Sequence, residues 1–494
     1  MAAIALVACC AGLVIATAPG SAKATVRWHG CPDGYPKNVQ CASVSVPRDY
    51  DHPRGAQITI GFDRLRATNR AHRVGSLIVN PGGPGGPGSQ VVAVEAAGRH
   101  LWHPALHRRF DMIGMDPRGI GLSRPSIKCD PAPYNRPVSL FPDSQAQFDQ
   151  LAAWARAFGA SCRRLTGPLL GHVDTLSVAR DMEAVRKALG QGKLNFLGLS
   201  YGAEMGTLYA EHYPKRIRAM ALDAILDHTI PVNKLVDDAT RAYEDTLNRV
   251  AAWCAQTSSC PLHGQDLLAL FDQLTQQADH QPLPAPQCDR APCRGPVTGD
   301  DIRMNAFNLM LVKQPVAALG IPGWADFAGA LAQAAAGDAS AFATPLATSP
   351  RDDPFPALGV NCADYPHTFG RTFGQISATM ARSRMLAPHT QGAGETWLGL
   401  TGCLRWPVPA ANPPHRLQIR GAPPILLVNA THDPSTPYVW AQDVHAQVPR
   451  SILLTRDGDG HTSSFLGPGS RTNDAIARFL ITRKAPPPGT VLPN

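Results

Sequence analysis

A chain of 494 residues with 44% apolar side chains can bury a large core, as one domain with an insertion or as two or three domains. Its formal charge of +8 is spread thinly, without a Lys/Arg block or a basic run interleaved with aromatics. That pattern argues against nucleic-acid binding, and beyond the first two dozen residues no run of about 18 apolar residues is long enough to span a membrane.

The chain opens with MAAIALVACCAGLVIATAPGSAKA, an apolar run closed by small residues. It reads as a signal peptide over residues 1–24, although the usual basic start is missing. Cys9 offers a rival lipoprotein reading, disfavoured because an apolar run rather than a polar linker follows it. Without Cys9 and Cys10 ten cysteines remain, an even number that suggests disulfides in an exported protein. Neighbours in sequence are expected to pair: Cys31 with Cys41, Cys129 with Cys162, Cys254 with Cys260, Cys288 with Cys293, and Cys362 with Cys403. No histidines cluster with them as a zinc site requires.

Short apolar runs then alternate with helical spacing. Ser76–Asn80 (SLIVN), Phe110–Met115 (FDMIGM), Leu194–Leu199, Arg218–Leu222 (RAMAL), Pro424–Asn429 (PILLVN) and Ser451–Thr455 (SILLT) read as buried parallel strands. Leu176–Leu189 has apolar residues at 178, 182, 185 and 189, the period of a helix, and Ala203–Tyr213 reads as another. Strands alternating with helices predict an α/β fold with a mostly parallel central sheet flanked by helices. The alternation stops near Asp227 and resumes near Gly421. Core segments are therefore expected at 25–227 and 417–494, with a largely helical, disulfide-bearing insertion at 228–416 lying over the sheet. The closing APPPGTVLPN reads as a mobile tail.

The chemistry gathers where strands end. Gly198-Leu199-Ser200-Tyr201-Gly202 sits between a strand and a helix, the context of a nucleophile elbow, which lifts a serine hydroxyl above the carboxyl edge of a sheet. A chance match in a chain with 44 glycines is the bland alternative. A serine hydroxyl needs a base, and the base needs an orienting acid. Asp433 follows PILLVN and His461 follows SILLTRDGDG, in the order serine, acid, histidine. Asp433 as a turn residue and His461 as a surface histidine are the competing readings. His432 and His445 compete as bases, and Asp457 and Asp459 as acids; none of the four follows its own strand in the required order. The oxyanion of acyl transfer needs fixed N–H donors. Tyr201 is expected to give one, and the loop Asn80–Gly88 the other, from Gly83 or, next, Gly82. That loop also fits G-x-G-x-x-G, the dinucleotide fingerprint, but its prolines remove N–H groups a pyrophosphate would use.

Together NPGGPGGPG, FDMIGMDPRGIGLSRP, GLSYG, NATHDPSTP and DGDGHTSS resemble the secreted tripeptidyl aminopeptidases, α/β-hydrolase relatives of the proline iminopeptidases. The resemblance runs from about Cys31 to about residue 480, taking in VSVPRDYDHP and NCADYP. It implies Ser200 as nucleophile, Asp433 as acid, His461 as base and cleavage near a free peptide N-terminus. Glu204 departs from the pattern, where a small or uncharged residue is expected. An aminopeptidase must also hold an α-ammonium group, for which Asp364 and Glu204 are the candidates. The expectation is an exported serine peptidase that acts on peptide substrates without metal or organic cofactor. An esterase or lipase with the same triad is the alternative, and a non-catalytic binding protein of the same fold is another.

Overall fold

Ten strands form one sheet in the computed structural model, which describes residues 26–352, 354–467 and 469–493. They are β1 (His29–Gly30), β2 (Val39–Pro47), β3 (Gln57–Leu65), β4 (Gly75–Asn80), β5 (Phe110–Met115), β6 (Leu194–Leu199), β7 (Ile217–Asp223), β8 (Ile425–His432), β9 (Ser451–Asp459) and β10 (Val491–Pro493). The spatial order is β1-β2-β3-β5-β4-β6-β7-β8-β9-β10. From β5 to β10 every neighbouring pair is parallel. The three strands at the other edge run antiparallel.

The parallel strands read as apolar runs because both of their faces are covered. Alternate residues enter opposite cores, the two-residue period of a pleated strand. Leu77 and Val79 of β4, Leu197 and Leu199 of β6, and Leu426 and Val428 of β8 pack on one side. Ile78, Phe196, Met220 and Leu427 pack on the other. The helix expected at 176–189 spans Thr175–Ala188, started by the Asp174 side chain, which accepts the Ser177 N–H at 2.8 Å. The helix expected at 203–213 spans Tyr201–His212.

Two features depart from expectation. The antiparallel strands β1 to β3 carry Asp63, Arg64 and Gln57 among their apolar residues, so they offer no continuous apolar run. The tail is not free along its length: Val491–Pro493 pairs with β9, with Val491 opposite Thr455. The leader reading of residues 1–24 lies outside the described residues. The ten cysteines join as Cys31–Cys41, Cys129–Cys162, Cys254–Cys260, Cys288–Cys293 and Cys362–Cys403. Among the described residues no helix is long and apolar enough to cross a membrane.

Among the described residues seven α-helices, from Val232–Gln256 to Glu395–Gly402, lie between β7 and β8. Most pack around their own centre of Tyr243, Leu247, Phe271, Phe307, Trp324 and Phe327. The helix Phe355–Asp364 differs: Phe355, Leu358, Val360 and Cys362 belong to the core beneath the sheet. Through this helix the insertion is rooted in the main core.

Gly198 is a test of this packing. A Cβ there would fall 2.2 Å from the Gly202 carbonyl oxygen, which is backbone and cannot rotate away. Gly198→Ala is expected to cost about 1–3 kcal/mol or more by overpacking. Gly192→Ala, whose Cβ meets nothing within 4 Å, should leave the melting temperature close to the parent value. Thermal melts of the two variants side by side check this.

Candidate active site

Strand order places the site. β4 lies between β5 and β6, so the chain leaves the sheet in opposite directions on either side of β4. The crevice outside the carboxyl ends of such strands is where α/β sheets bind ligands. Ser200 follows β6 directly and adopts φ 57°, ψ −125°. A non-glycine residue held there carries strain of about 1–3 kcal/mol that its surroundings must fix. Its N–H donates to the Asp223 carbonyl at 2.9 Å. The loop after β4 lies directly against this turn. A Cβ on Gly82 would sit 2.4 Å from Leu199 O, 2.8 Å from the Ser200 Cβ and 3.0 Å from Tyr201 N. Only a glycine permits that approach. The Gly82 N–H is occupied, donating to Asn80 Oδ1 at 2.9 Å. The N–H groups of Gly83 and Tyr201 make no hydrogen bond among the described residues, and both residues line the cavity over Ser200.

Asp433 follows β8 and is buried. His461 Nδ1 lies 2.9 Å from both of its carboxylate oxygens. A nitrogen facing two carboxylate oxygens carries the proton, which leaves Nε2 with a free lone pair. Asp433 also accepts the N–H groups of Ser435 at 2.9 Å and Thr436 at 2.8 Å, and the Thr436 hydroxyl at 2.9 Å. Four donors on one carboxylate fix its plane and, through it, the imidazole. Burial pulls the His461 pKa down, but the charge of Asp433 and its hydrogen bond, with Glu395 and Asp223 behind them, outweigh it and leave the imidazole raised. The backbone of His461 is held from the insertion, its N–H donating to Leu311 O at 2.8 Å.

A cavity of about 200 Å³ opens over Ser200. Its wall is largely apolar, with Leu226, Leu235, Leu358, Leu398, Leu400 and Trp440. Among the described residues Glu395 is the one carboxyl-bearing side chain of the wall. It accepts a hydrogen bond from the Ser435 hydroxyl. It stands open to the cavity, yet the surrounding protein removes enough water from its carboxyl to raise its pKa, against the opposing pull of Ser435 and His461.

The carboxyl groups expected to hold an ammonium group are elsewhere. Asp364 and Glu204 are both buried and neither lines the cavity. Asp364 accepts the Thr175 N–H at 2.9 Å, the Thr175 hydroxyl at 2.6 Å and Asn412 Nδ2 at 3.0 Å. Thr175 Oγ1 thus accepts the hydroxyl of Tyr201 at 2.7 Å. His228 Nε2 faces the Asn412 carbonyl at 2.7 Å and must donate to it, which leaves Nδ1 as an acceptor 3.4 Å from Glu204 Oε1. Burial, then the nearby Asp227, push Glu204 up to about 8, and neither Glu204 Oε1 nor His228 Nδ1 has a hydrogen-bond partner among the described residues. Asp364 thus braces Tyr201 through Thr175, and neither Asp364 nor Glu204 lines the cavity.

A sequence model described as the alpha/beta hydrolase fold matches residues 75–468. The chain belongs to the α/β-hydrolase family. It is 32% identical over 487 residues to the protein named serine protease Hip1 of Mycobacterium tuberculosis, covering 94% of this chain and 90% of that one. It is 31% identical over 491 residues to a tripeptidyl aminopeptidase of Streptomyces lividans, covering 95% and 87%. It is 32% identical over 480 residues to a carboxylesterase B of Mycobacterium tuberculosis, covering 91% and 86%. As an α/β-hydrolase with such relatives it is a serine hydrolase.

Within this α/β-hydrolase, Glu395, Thr436 and Asp223 escaped the sequence reading. Thr436 and Asp223 had a signal: each is a polar residue at or just past the carboxyl end of an apolar strand. Glu395 had none, because nothing in the insertion's local pattern says which helix faces the cavity.

Proposed function

We propose that this α/β-hydrolase is an exported serine peptidase that releases short peptides from free N-termini. The observation that carries the reading is the buried, hydrogen-bonded Asp433–His461 pair at the same sheet edge as the strained Ser200. Ser200 attacks the scissile carbonyl as His461 Nε2 takes its proton. Asp433 keeps the imidazole in the required tautomer. The N–H groups of Gly83 and Tyr201, rather than that of Gly82, receive the oxyanion. Water then hydrolyses the acyl-enzyme. The names of the first two relatives support peptides as the substrate class, and five disulfides support export. Glu395 replaces Asp364 and Glu204 as the group that receives the α-ammonium, being the carboxylate that faces the cavity. The carboxylesterase relative and the apolar wall favour a second reading, short acyl esters.

Three substrates separate the two readings: a tripeptide arylamide with a free amine, its N-acetylated form, and a short acyl ester. The peptidase is expected to cleave the first at least tenfold better than the second; indifference to acetylation with faster ester cleavage would establish the esterase. Glu395→Gln keeps an acceptor for Ser435 but removes the charge. A hydrogen bond to a charged group is worth about 1.5–3 kcal/mol, so KM for the free-amine substrate should rise about 10–100-fold, with the acetylated substrate unaffected. The pH profile is a further check. His461 acts as a base only when neutral, and its pKa is raised. The acid limb of kcat/KM is therefore expected above an ordinary histidine value of about 6.5.

A further inference from the structure

The loop that carries His461 is gripped by two buried, opposite charges. Asp223 ends β7 and is fully buried. Its carboxylate accepts the Ser463 N–H at 2.8 and 3.0 Å, the Ser464 N–H at 2.6 Å and the Ser464 hydroxyl at 2.7 Å. Arg456, in β9, is equally buried. Its guanidinium donates to the carbonyls of Asp459 at 2.7 Å, Gly460 at 2.6 Å and Thr462 at 3.2 Å, and to Ser463 Oγ at 3.0 Å. Amides of the loop meet the anion and carbonyls meet the cation. Between them Thr462 is held at φ 61°, a conformation a β-branched residue adopts only under constraint. The carbonyl of Asp223 receives the N–H of Ser200. One residue therefore grips the nucleophile's backbone through its main chain and the base's loop through its side chain.

We propose that Asp223 and Arg456 are positioning residues that hold the His461 loop in register with Ser200. The inference rests on the reading of Ser200 as nucleophile and His461 as base. Hydrogen bonds to ionised groups are short and strong, and a buried charge that loses its partner is costly. The clamp has no freedom to let the loop drift. That is its use, since a displacement of about 1 Å at reacting groups costs on the order of 100-fold in rate.

Asp223→Asn tests the proposal: its carbonyl can stand in for Oδ2, but its NH2 then faces the Ser463 N–H in the place of Oδ1 and cannot accept it, and the negative charge that grips the loop is lost. The expected result on a tripeptide arylamide is a fall in kcat of about 100-fold with KM within threefold. The acid limb of kcat/KM should also move to lower pH. Asp433, Glu395 and Asp223 all favour the imidazolium of His461, and the variant removes one of these charges. A merely structural residue would lower the melting temperature without either kinetic change. A folded Asp223→Asn enzyme with kcat within threefold of the parent, or with a raised KM and unchanged kcat, overturns the proposal. Should that variant not fold, the double variant Ser463→Ala/Ser464→Ala decides. It removes the side-chain bonds to both charges and leaves the charges and backbone amides intact. A kcat loss of fivefold or more at unchanged KM supports the clamp, and an unchanged kcat overturns it. A fluorophosphonate probe keeps the two readings apart. If the parent enzyme is not labelled at Ser200, the nucleophile assignment fails; if parent and Asp223→Asn are labelled equally fast, only the clamp fails.

Discussion

Ser200→Ala is expected to reduce kcat by about three to six powers of ten while leaving the fold intact, as loss of the nucleophile does in other serine triads. The two effects separate because of what the hydroxyl does in the resting protein. Ser200 Oγ makes no hydrogen bond to another side chain or backbone group among the described residues, so removing it strands no partner. Alanine keeps the Cβ, and with it the same backbone strain at φ 57°. The melting temperature should therefore stay near that of the parent. What remains after the substitution is the oxyanion donors and substrate binding, which alone sustain a residual rate above water. Steady-state turnover of a tripeptide arylamide, with loss of the acyl-enzyme burst and of fluorophosphonate labelling, measures the effect. A variant that kept turnover within tenfold would place the nucleophile at another residue.

The parts legible in the sequence are those where one physical signal acts locally. β4, β5, β6, β7, β8 and β9 announced themselves because a strand covered on both faces must be apolar along its length. The Ser200 elbow was legible because glycines at 198 and 202 answer to backbone contacts on either side of the turn. Asp433 and His461 were legible because each directly follows such a strand. The half-polar strands β1 to β3 were not, since their burial depends on a partner far away in the chain. The same holds for the insertion. Local helical spacing identified its character, but the cavity face of a helix is set by tertiary packing. Glu395, which faces the cavity, and Asp364, which braces Tyr201, were therefore indistinguishable as acidic residues in helical surroundings.

The Asp433→Asn variant examines the acid through its geometry. In the parent, Oδ1 accepts the N–H groups of Ser435 and Thr436 as well as His461 Nδ1. Two backbone donors at one oxygen oblige the asparagine carbonyl to take that place. Its NH2 group then occupies the position of Oδ2, 2.9 Å from Nδ1 and from the Thr436 hydroxyl. Thr436 can rotate its hydroxyl to accept. The imidazole responds by presenting a bare Nδ1 and moving its proton to Nε2. A ring protonated at Nε2 cannot take the proton of Ser200. The expected loss in kcat is about 10⁴-fold, the size seen when a triad histidine is held in the wrong tautomer. KM should change little, because Asp433 does not line the cavity. The deshielded Nδ1–H resonance of the parent should vanish from the proton NMR spectrum, which ties the rate loss to the tautomer. A loss smaller than tenfold with that resonance retained would mean that another carboxylate orients His461. Glu395 would then be the next to replace, because it stands on the cavity wall and its carboxyl favours the imidazolium of His461, whereas Asp223 is already committed to the amides of residues 463 and 464.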